Sequence, residues 1–500
     1  MMIECQNYIG GKWIKGTGGT TFENHNPATC EQVSKTENSS HEDVLDAIEH
    51  AQTAFYKWKS IPAPKRGEII FKIGDVIKNR KQRLAELLTK EVGKTRIEAE
   101  GEVQEAIDMA YYMAGEGRRM FGHTIPSELP NKWAMSVREP VGVVGAISAF
   151  NFPVAVPSWK ILPSLILGNA VIWKPSPETS AIANEFVRCF EDGGLPSGVL
   201  NLILGDKEVG EILVKDPRVT HISFTGSTEI GRKVYELAAR NLKRVSLELG
   251  GKNAVIVLKD ANLDLATDGV VWAAFGTSGQ RCTSASRVIV EEEVYDSFIE
   301  KLLEKTKKLN VGDGSVEGVN VGPLISESAV QKMEAYISLA RKAGSQILCG
   351  GGRYKDKEGH FFQPTIIGPV DPQNTLVTEE IFGPILCVIK AENFEHALHI
   401  NNSSKYGLST ALFTQNVNKS FKGIRDVDTG IVYVNHGTTG AEIQLPFGGT
   451  KDTGNGLREA GQAALDAFSE WKSIYIDYSD QLQRAQIDTD NLFSDLIETN

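Results

Sequence analysis

Cysteine is scarce in this chain: six in 500 residues, at positions 5, 30, 189, 282, 349 and 387, and no two lie close enough to form a metal-binding pair. The spacing excludes the common thiolate zinc patterns and a disulfide-stapled scaffold, so a reduced, cytoplasmic protein is the simplest expectation. Histidine is thin as well. Of nine, only His396 and His399 stand at helical i, i+3 spacing, without an acidic or thiol partner in pattern, and no metal site is expected there. Basic charge is not in excess: 53 Lys and Arg against 64 Asp and Glu leave a net −11, which disfavours a nucleic-acid surface. Long apolar runs are missing. Residues 141–150 and 161–173 are short and broken by Pro or Gly, so no membrane span is expected. Residues 1–13 lack a basic stretch followed by an apolar one, which argues against a secretory leader. There is no internal repeat and no low-complexity tract.

What is present is ordinary globular material, 41% hydrophobic with 48 Gly and 19 Pro, in a chain long enough for two or three domains. Residues 7–13 and 20–25 read as short strands around a Gly-rich turn at 16–19. Ser40 and Asp43 resemble a capping box, and Val44, Ala47, Ile48, Ala51, Phe55 and Trp58 recur at helical spacing behind it. A helical region follows from about 65 to 120, interrupted near Gly93. Glu98, Glu102 and Glu105 share one face of it, expected as a solvated acidic stripe unless a cationic ligand claims it. From 140 onward, apolar strands at 141–148, 170–174, 199–204, 221–225 and 244–248 alternate with helices at 153–167, 180–191, 207–214 and 229–242. That alternation predicts an α/β fold with a parallel sheet covered on both faces, whose ligands sit beyond the carboxyl ends of the strands. A second mixed section runs from a strand at 254–258 to the Gly-rich 448–456. A strand at 474–478 and a polar, acidic tail at 486–500, expected to fray, complete the chain.

The stretch Gly276-Thr277-Ser278-Gly279-Gln280-Arg281-Cys282-Thr283 sets one cysteine among small, turn-forming residues after an apolar segment. A thiol attacks well only as thiolate, and an ordinary pKa of about 8.5 leaves little of it ionised at neutral pH, so Arg281 is expected to lend positive charge. On this stretch alone, a small buried apolar cysteine is an equal alternative. Two strand ends carry further chemistry. Phe224-Thr225-Gly226-Ser227 turns a strand into a helix where phosphate oxygens could approach the helix N-terminus, or is an ordinary glycine turn, and Trp173-Lys174-Pro175-Ser176 ends a strand with a cation suited to ribose or phosphate, or with a merely exposed lysine.

With Phe150-Asn151-Phe152-Pro153, Leu247-Glu248-Leu249-Gly250-Gly251, Glu380-Ile381-Phe382-Gly383-Pro384 and Pro446-Phe447-Gly448-Gly449 added in order, the chain from about 7 to 478 resembles an aldehyde dehydrogenase. The resemblance implies a parallel-sheet nicotinamide-binding domain (1–121 and 140–249), an α/β catalytic domain (250–450) and a small β oligomerisation flap (122–139 and 472–485) that pairs subunits into a homodimer or homotetramer. It implies Cys282 as nucleophile, Asn151 with the Cys282 N–H as oxyanion donors, and Glu248 as general base. Lys174, Ser176, Gly226, Ser227, Glu380 and Phe382 would bind the coenzyme. NAD is expected, with NADP admitted because Pro177 stands where many NAD-preferring relatives carry an acid.

Gly101-Glu102-Val103-Gln104-Glu105 and Thr439-Gly440-Ala441-Glu442-Ile443 resemble the antiquitin branch, which acts on α-aminoadipate semialdehyde. By that similarity Arg281, Glu105, Gly440 and Ala441 would line the substrate. Ala114-Gly115-Glu116-Gly117 and Ile125-Pro126-Ser127 are more similar to 2-oxoglutarate semialdehyde dehydrogenases. The small-molecule substrate is therefore expected to be a carboxylate-bearing semialdehyde. The alternatives are a plain aliphatic aldehyde, or a non-catalytic binding protein on the same fold. An acylating enzyme that uses coenzyme A is disfavoured by the presence of Glu248.

Overall fold

The computed structural model describes residues 2–489, so all but the first four residues of the predicted frayed tail lie outside the described residues. Ser40 caps the helix His41–Ser60 in the reciprocal box with Asp43, and Val44, Ala47, Ile48, Ala51 and Trp58 are buried on its inner face. The helical region after it is three helices, Ala63–Asn79, Lys81–Val92 and Arg96–Glu116. Gly93, left-handed at φ 84°, closes the second of these. The additional break at Arg80 carries no Gly or Pro and was not expected.

Two seven-stranded sheets organise the molecule. The first runs Arg244–Glu248, His221–Thr225, Val143–Ile147, Ala170–Lys174 and Leu200–Leu202, all parallel, then adds Asn7–Ile9 and Lys12–Ile14 antiparallel. Residues 7–13 are thus a tight hairpin rather than one strand. Gly10 and Gly11, at φ 58° and 86°, make the turn. Strand pairs in this sheet hold register residue by residue, with Phe224 beside Leu247 and Thr225 beside Glu248. The strands are buried along their length because helices cover both faces.

The second sheet runs Ile347–Cys349, Thr365–Ile367, Ile385–Ala391, Ala285–Glu291, Asn253–Val257, Ser409–Phe413 and Ile431–Val434, parallel except at the first edge. A third, three-stranded antiparallel sheet brings Ser469–Asp477 against Lys132–Pro140 and His123–Pro126. It exposes Ile125, Trp133, Trp471, Tyr475 and Ile476. Among the described residues no helix is long and apolar enough to cross a membrane, and no three His, Cys, Asp or Glu gather to hold a metal.

Candidate active site

A cleft of about 620 Å³ opens at the carboxyl ends of the first sheet. Lys174, Ser176, Gly226, Ser227, Glu380 and Phe382 line it together with Asn151 and Cys282. The strand Ala170–Lys174 delivers Lys174, whose Nζ donates to Pro175 O at 3.1 Å. Burial holds this ammonium down at about 8 against the opposing pull of Glu178 and Asp206. The strand His221–Thr225 passes through Gly226 to Ser227, which caps the helix Thr228–Ala239. The N-terminus of that helix faces the cleft, while Val214, Ile230, Val234 and Leu237 form an apolar wall. A buried cation, a helix N-terminus and an apolar wall at one sheet end fit the ribose, diphosphate and flat base of a dinucleotide.

Glu380 enters from the second sheet's side and accepts the Gly251 N–H at 3.0 Å, and burial raises its carboxyl. Phe382, at φ 60°, meets Phe150 edge-on with ring centres 6.0 Å apart. Ser176 donates to Glu178 beside the cleft rim.

Cys282 sits where the two sheets meet. A Cβ on Gly251 would lie 2.5 Å from the Cys282 carbonyl oxygen, so only glycine admits this approach. Asn253 Nδ2 donates to Cys282 O at 2.7 Å and to Ser284 O at 2.9 Å, and Thr438 Oγ1 donates to Thr283 O at 2.7 Å. Asn151 Nδ2 donates to Gln280 O at 3.0 Å, two residues before the thiol. The turn leading in is left-handed at three consecutive residues, Thr277 (φ 50°), Ser278 (φ 55°) and Gly279 (φ 70°). The two that carry side chains cost about 1 to 2 kcal/mol each, so other contacts must hold them.

Burial first, then the Glu248 and Glu380 carboxylates, push the Cys282 thiol up to about 12, against the pull of the Thr283 and Cys282 N–H groups. The expectation that Arg281 activates this thiol is corrected. Its guanidinium turns away: Nη2 donates to Glu98 Oε1 at 3.0 Å and Nε to Thr277 Oγ1 at 2.9 Å, over the Trp272 ring. Glu248 ends the strand Arg244–Glu248, and its Oε2 is buried without a hydrogen-bond partner. Burial and the neighbouring Glu459 raise this carboxyl well above the ordinary range. A Cβ on Gly448 would come within 2.6 Å of Glu248 Oε1.

Arg281, Glu105, Gly440 and Ala441 are not among the residues lining the coenzyme-side cleft. Gly440 and Ala441 follow closely on Thr438, which is bonded to Thr283 beside the nucleophile. Glu105 is half-buried, and burial followed by Glu102 pushes it up to about 8. The acidic stripe is not solvated: Glu98 and Glu102 are buried and bonded. Asn253 and the buried Lys160–Glu459 pair behind Glu248 were not singled out in the sequence. A lysine within the apolar stretch 153–167 was the available signal.

The aldehyde dehydrogenase family model matches residues 13–474. The chain belongs to the aldehyde dehydrogenase family. The enzyme is 39% identical over 477 residues to alpha-ketoglutaric semialdehyde dehydrogenase of Bacillus subtilis, covering 94% of this chain and 97% of that one. It is 38% identical to aldehyde dehydrogenase family 7 member A1 of Malus domestica, with 96% and 94% covered. Among solved structures, a point mutant of betaine aldehyde dehydrogenase from Staphylococcus aureus in complex with NAD+ superposes with a TM-score of 0.93 at 34% identity, covering 95% of this chain and 97% of that one. An α/β aldehyde-oxidising enzyme is thus the reading on which fold and relatives agree.

Proposed function

We propose that the enzyme oxidises a carboxylate-bearing semialdehyde, of the 2-oxoglutarate or α-aminoadipate semialdehyde type, to the corresponding acid with NAD. The observation that carries this reading is the convergence of Cys282, Asn151 and six coenzyme-side residues on one cleft, with an unpartnered, raised Glu248 carboxyl behind the thiol. Lys174 and Glu380 would hold the ribose hydroxyls, and Gly226 and Ser227 would receive the diphosphate at the helix N-terminus. Ser176 and Phe382 flank them. The bound nicotinamide supplies a hydride acceptor.

Glu248, with its carboxyl raised, takes the Cys282 proton as the sulfur adds to the aldehyde carbon. The thiohemiacetal oxyanion is stabilised by the Asn151 amide and the Cys282 N–H, donors of a kind worth about 3 to 4 kcal/mol when preorganised. Loss of hydride to the bound nicotinamide would leave a thioester on Cys282, and Glu248, once it has passed the thiol proton to solvent, deprotonates the hydrolysing water.

The names of the two similar relatives support a semialdehyde with a second polar end. Arg281 Nη1, with Nε and Nη2 already engaged, reads the carboxylate, helped by the Gly440 and Ala441 amides, and Glu105 lines the same end. Residues 1–121 and 140–249 form the coenzyme domain and 250–450 the catalytic domain. The flap, 122–139 with 472–485, pairs subunits into a homodimer or homotetramer of the cytoplasm. A screen of semialdehydes against hexanal, with NAD and NADP, tests this reading by NADH absorbance. A kcat/KM for a carboxylate-bearing semialdehyde no higher than for hexanal overturns the substrate assignment.

A further inference from the structure

The helix Arg96–Glu116 touches both loops that carry the chemistry, and it does so through two carboxylates one turn apart. Glu98 Oε1 accepts the Thr277 N–H at 2.6 Å and Arg281 Nη2 at 3.0 Å, which grips the left-handed turn leading to Cys282. Its other oxygen accepts the Thr95 N–H and hydroxyl at 3.1 and 2.9 Å, so the same side chain is tied to its own helix start. Glu102 Oε1 accepts the Val154 and Ala155 N–H groups at 2.8 and 3.2 Å, just after Asn151, at the start of the helix Ala155–Leu167. Its Oε2 pairs with buried Lys94, whose Nζ lies 3.4 Å from the centre of the Phe152 ring. Both carboxylate side chains are almost wholly buried.

We infer that Glu98 and Glu102 are positioning residues that together set the distance between the Cys282 sulfur and the Asn151 amide. Two buried loops, one of them in a strained left-handed conformation, are referenced to a single helix. The i, i+4 spacing of the carboxylates converts helix geometry into active-site geometry. Each carboxylate is also paired with a cation, Arg281 or Lys94, in a dry interior that fixes its orientation. The inference rests on the roles proposed above for Cys282 and Asn151.

The test is Glu98→Gln, Glu102→Gln and Thr277→Val, each compared with Cys282→Ser in the full-length enzyme. Thr277→Val keeps the branched shape but removes the hydroxyl that Arg281 Nε bonds, and it serves if a glutamate variant fails to fold. An error of about 1 Å between reacting groups costs about a hundredfold, so Glu98→Gln is expected to lower kcat by about that factor. Thr277→Val should lower it by about tenfold, with the Kd for NAD, read by protein fluorescence, changed less than about threefold in each. The alkylation rate of Cys282 by iodoacetamide should shift in the same variants, a readout independent of turnover. A kcat within about twofold of the parent in folded Glu98→Gln and Thr277→Val, with unchanged alkylation, overturns the clamp. In that event an inactive Cys282→Ser leaves the nucleophile reading standing, whereas an active Cys282→Ser removes that reading itself.

Discussion

At the scale of single residues, the site pairs a thiol that resists ionisation with a carboxyl that resists it too. With Cys282 pushed up to about 12, the resting sulfur is a thiol, and the thiolate forms only as the proton moves to the base form of Glu248, whose carboxyl is raised by burial and Glu459, or to solvent. Because the base form of Glu248 exists only above its raised pKa, kcat should fall as pH drops through that value. Glu248→Gln should flatten this acid limb, which a pH–rate profile will reveal. Asn151→Ala should lower kcat by about a hundredfold or more, since an oxyanion donor is lost. Lys174, held down at about 8, loses its charge as pH rises through that value, so the Kd for NAD should rise on the alkaline side and Lys174→Met should remove the dependence. Titration by fluorescence measures it. Position was legible in the sequence where a motif carried it: Cys282 and Asn151 do line one cleft, and Glu248 does end its strand. The direction of Arg281 was not legible, because adjacency in the chain to Cys282 says nothing about which way a long side chain turns, and here Glu98 and Trp272 draw it off.

At the scale of elements, the helix Arg96–Glu116 changes most between sequence and structure. Helical spacing places Glu98, Glu102 and Glu105 on one face correctly, yet spacing alone cannot say whether water or protein meets that face. The partners, Thr277, Arg281 and Val154, lie 50 residues or more away in the chain, so no local pattern announces them. Local signals did fix the helix His41–Ser60, where cap and apolar periodicity agree, and the strand Arg244–Glu248, whose predicted limits match. They failed at residues 7–13, where the Gly10–Gly11 turn splits a short apolar run. The buried Lys94–Glu102 pair gives an element-scale prediction. Glu102→Ala strands a charge in the interior and should cost about 3 to 5 kcal/mol, whereas Lys94→Met with Glu102→Gln should recover most of that loss. Urea unfolding of the three proteins measures the difference, and a double variant no more stable than Glu102→Ala contradicts it.

At the scale of the whole molecule, the loop that carries Cys282 is tied to the second sheet by Asn253 and to the segment after that sheet's last strand by Thr438. The three-stranded sheet is a separate one. In it Trp133 and Ile476, paired on one face, and Trp471 and Tyr475, on the other, leave apolar surface that a monomer would expose to water. Trp133→Glu with Tyr475→Glu should shift the enzyme to smaller species in sedimentation velocity, and an unchanged distribution would place the subunit contact elsewhere.

If oxidation passes through a covalent thioester on Cys282 that Glu248 helps water to cleave, that thioester can be trapped. Its most direct measurement is rapid mixing of Glu248→Gln with NAD and a carboxylate-bearing semialdehyde, followed by NADH absorbance and intact mass. NADH should rise to about one per active subunit and then stall, matched by an acyl adduct on Cys282, with this first phase slower than in the parent because Glu248 also takes the thiol proton, and later turnover slower still, by about a hundredfold or more. Steady NADH formation without a stall and without an adduct would contradict the thioester.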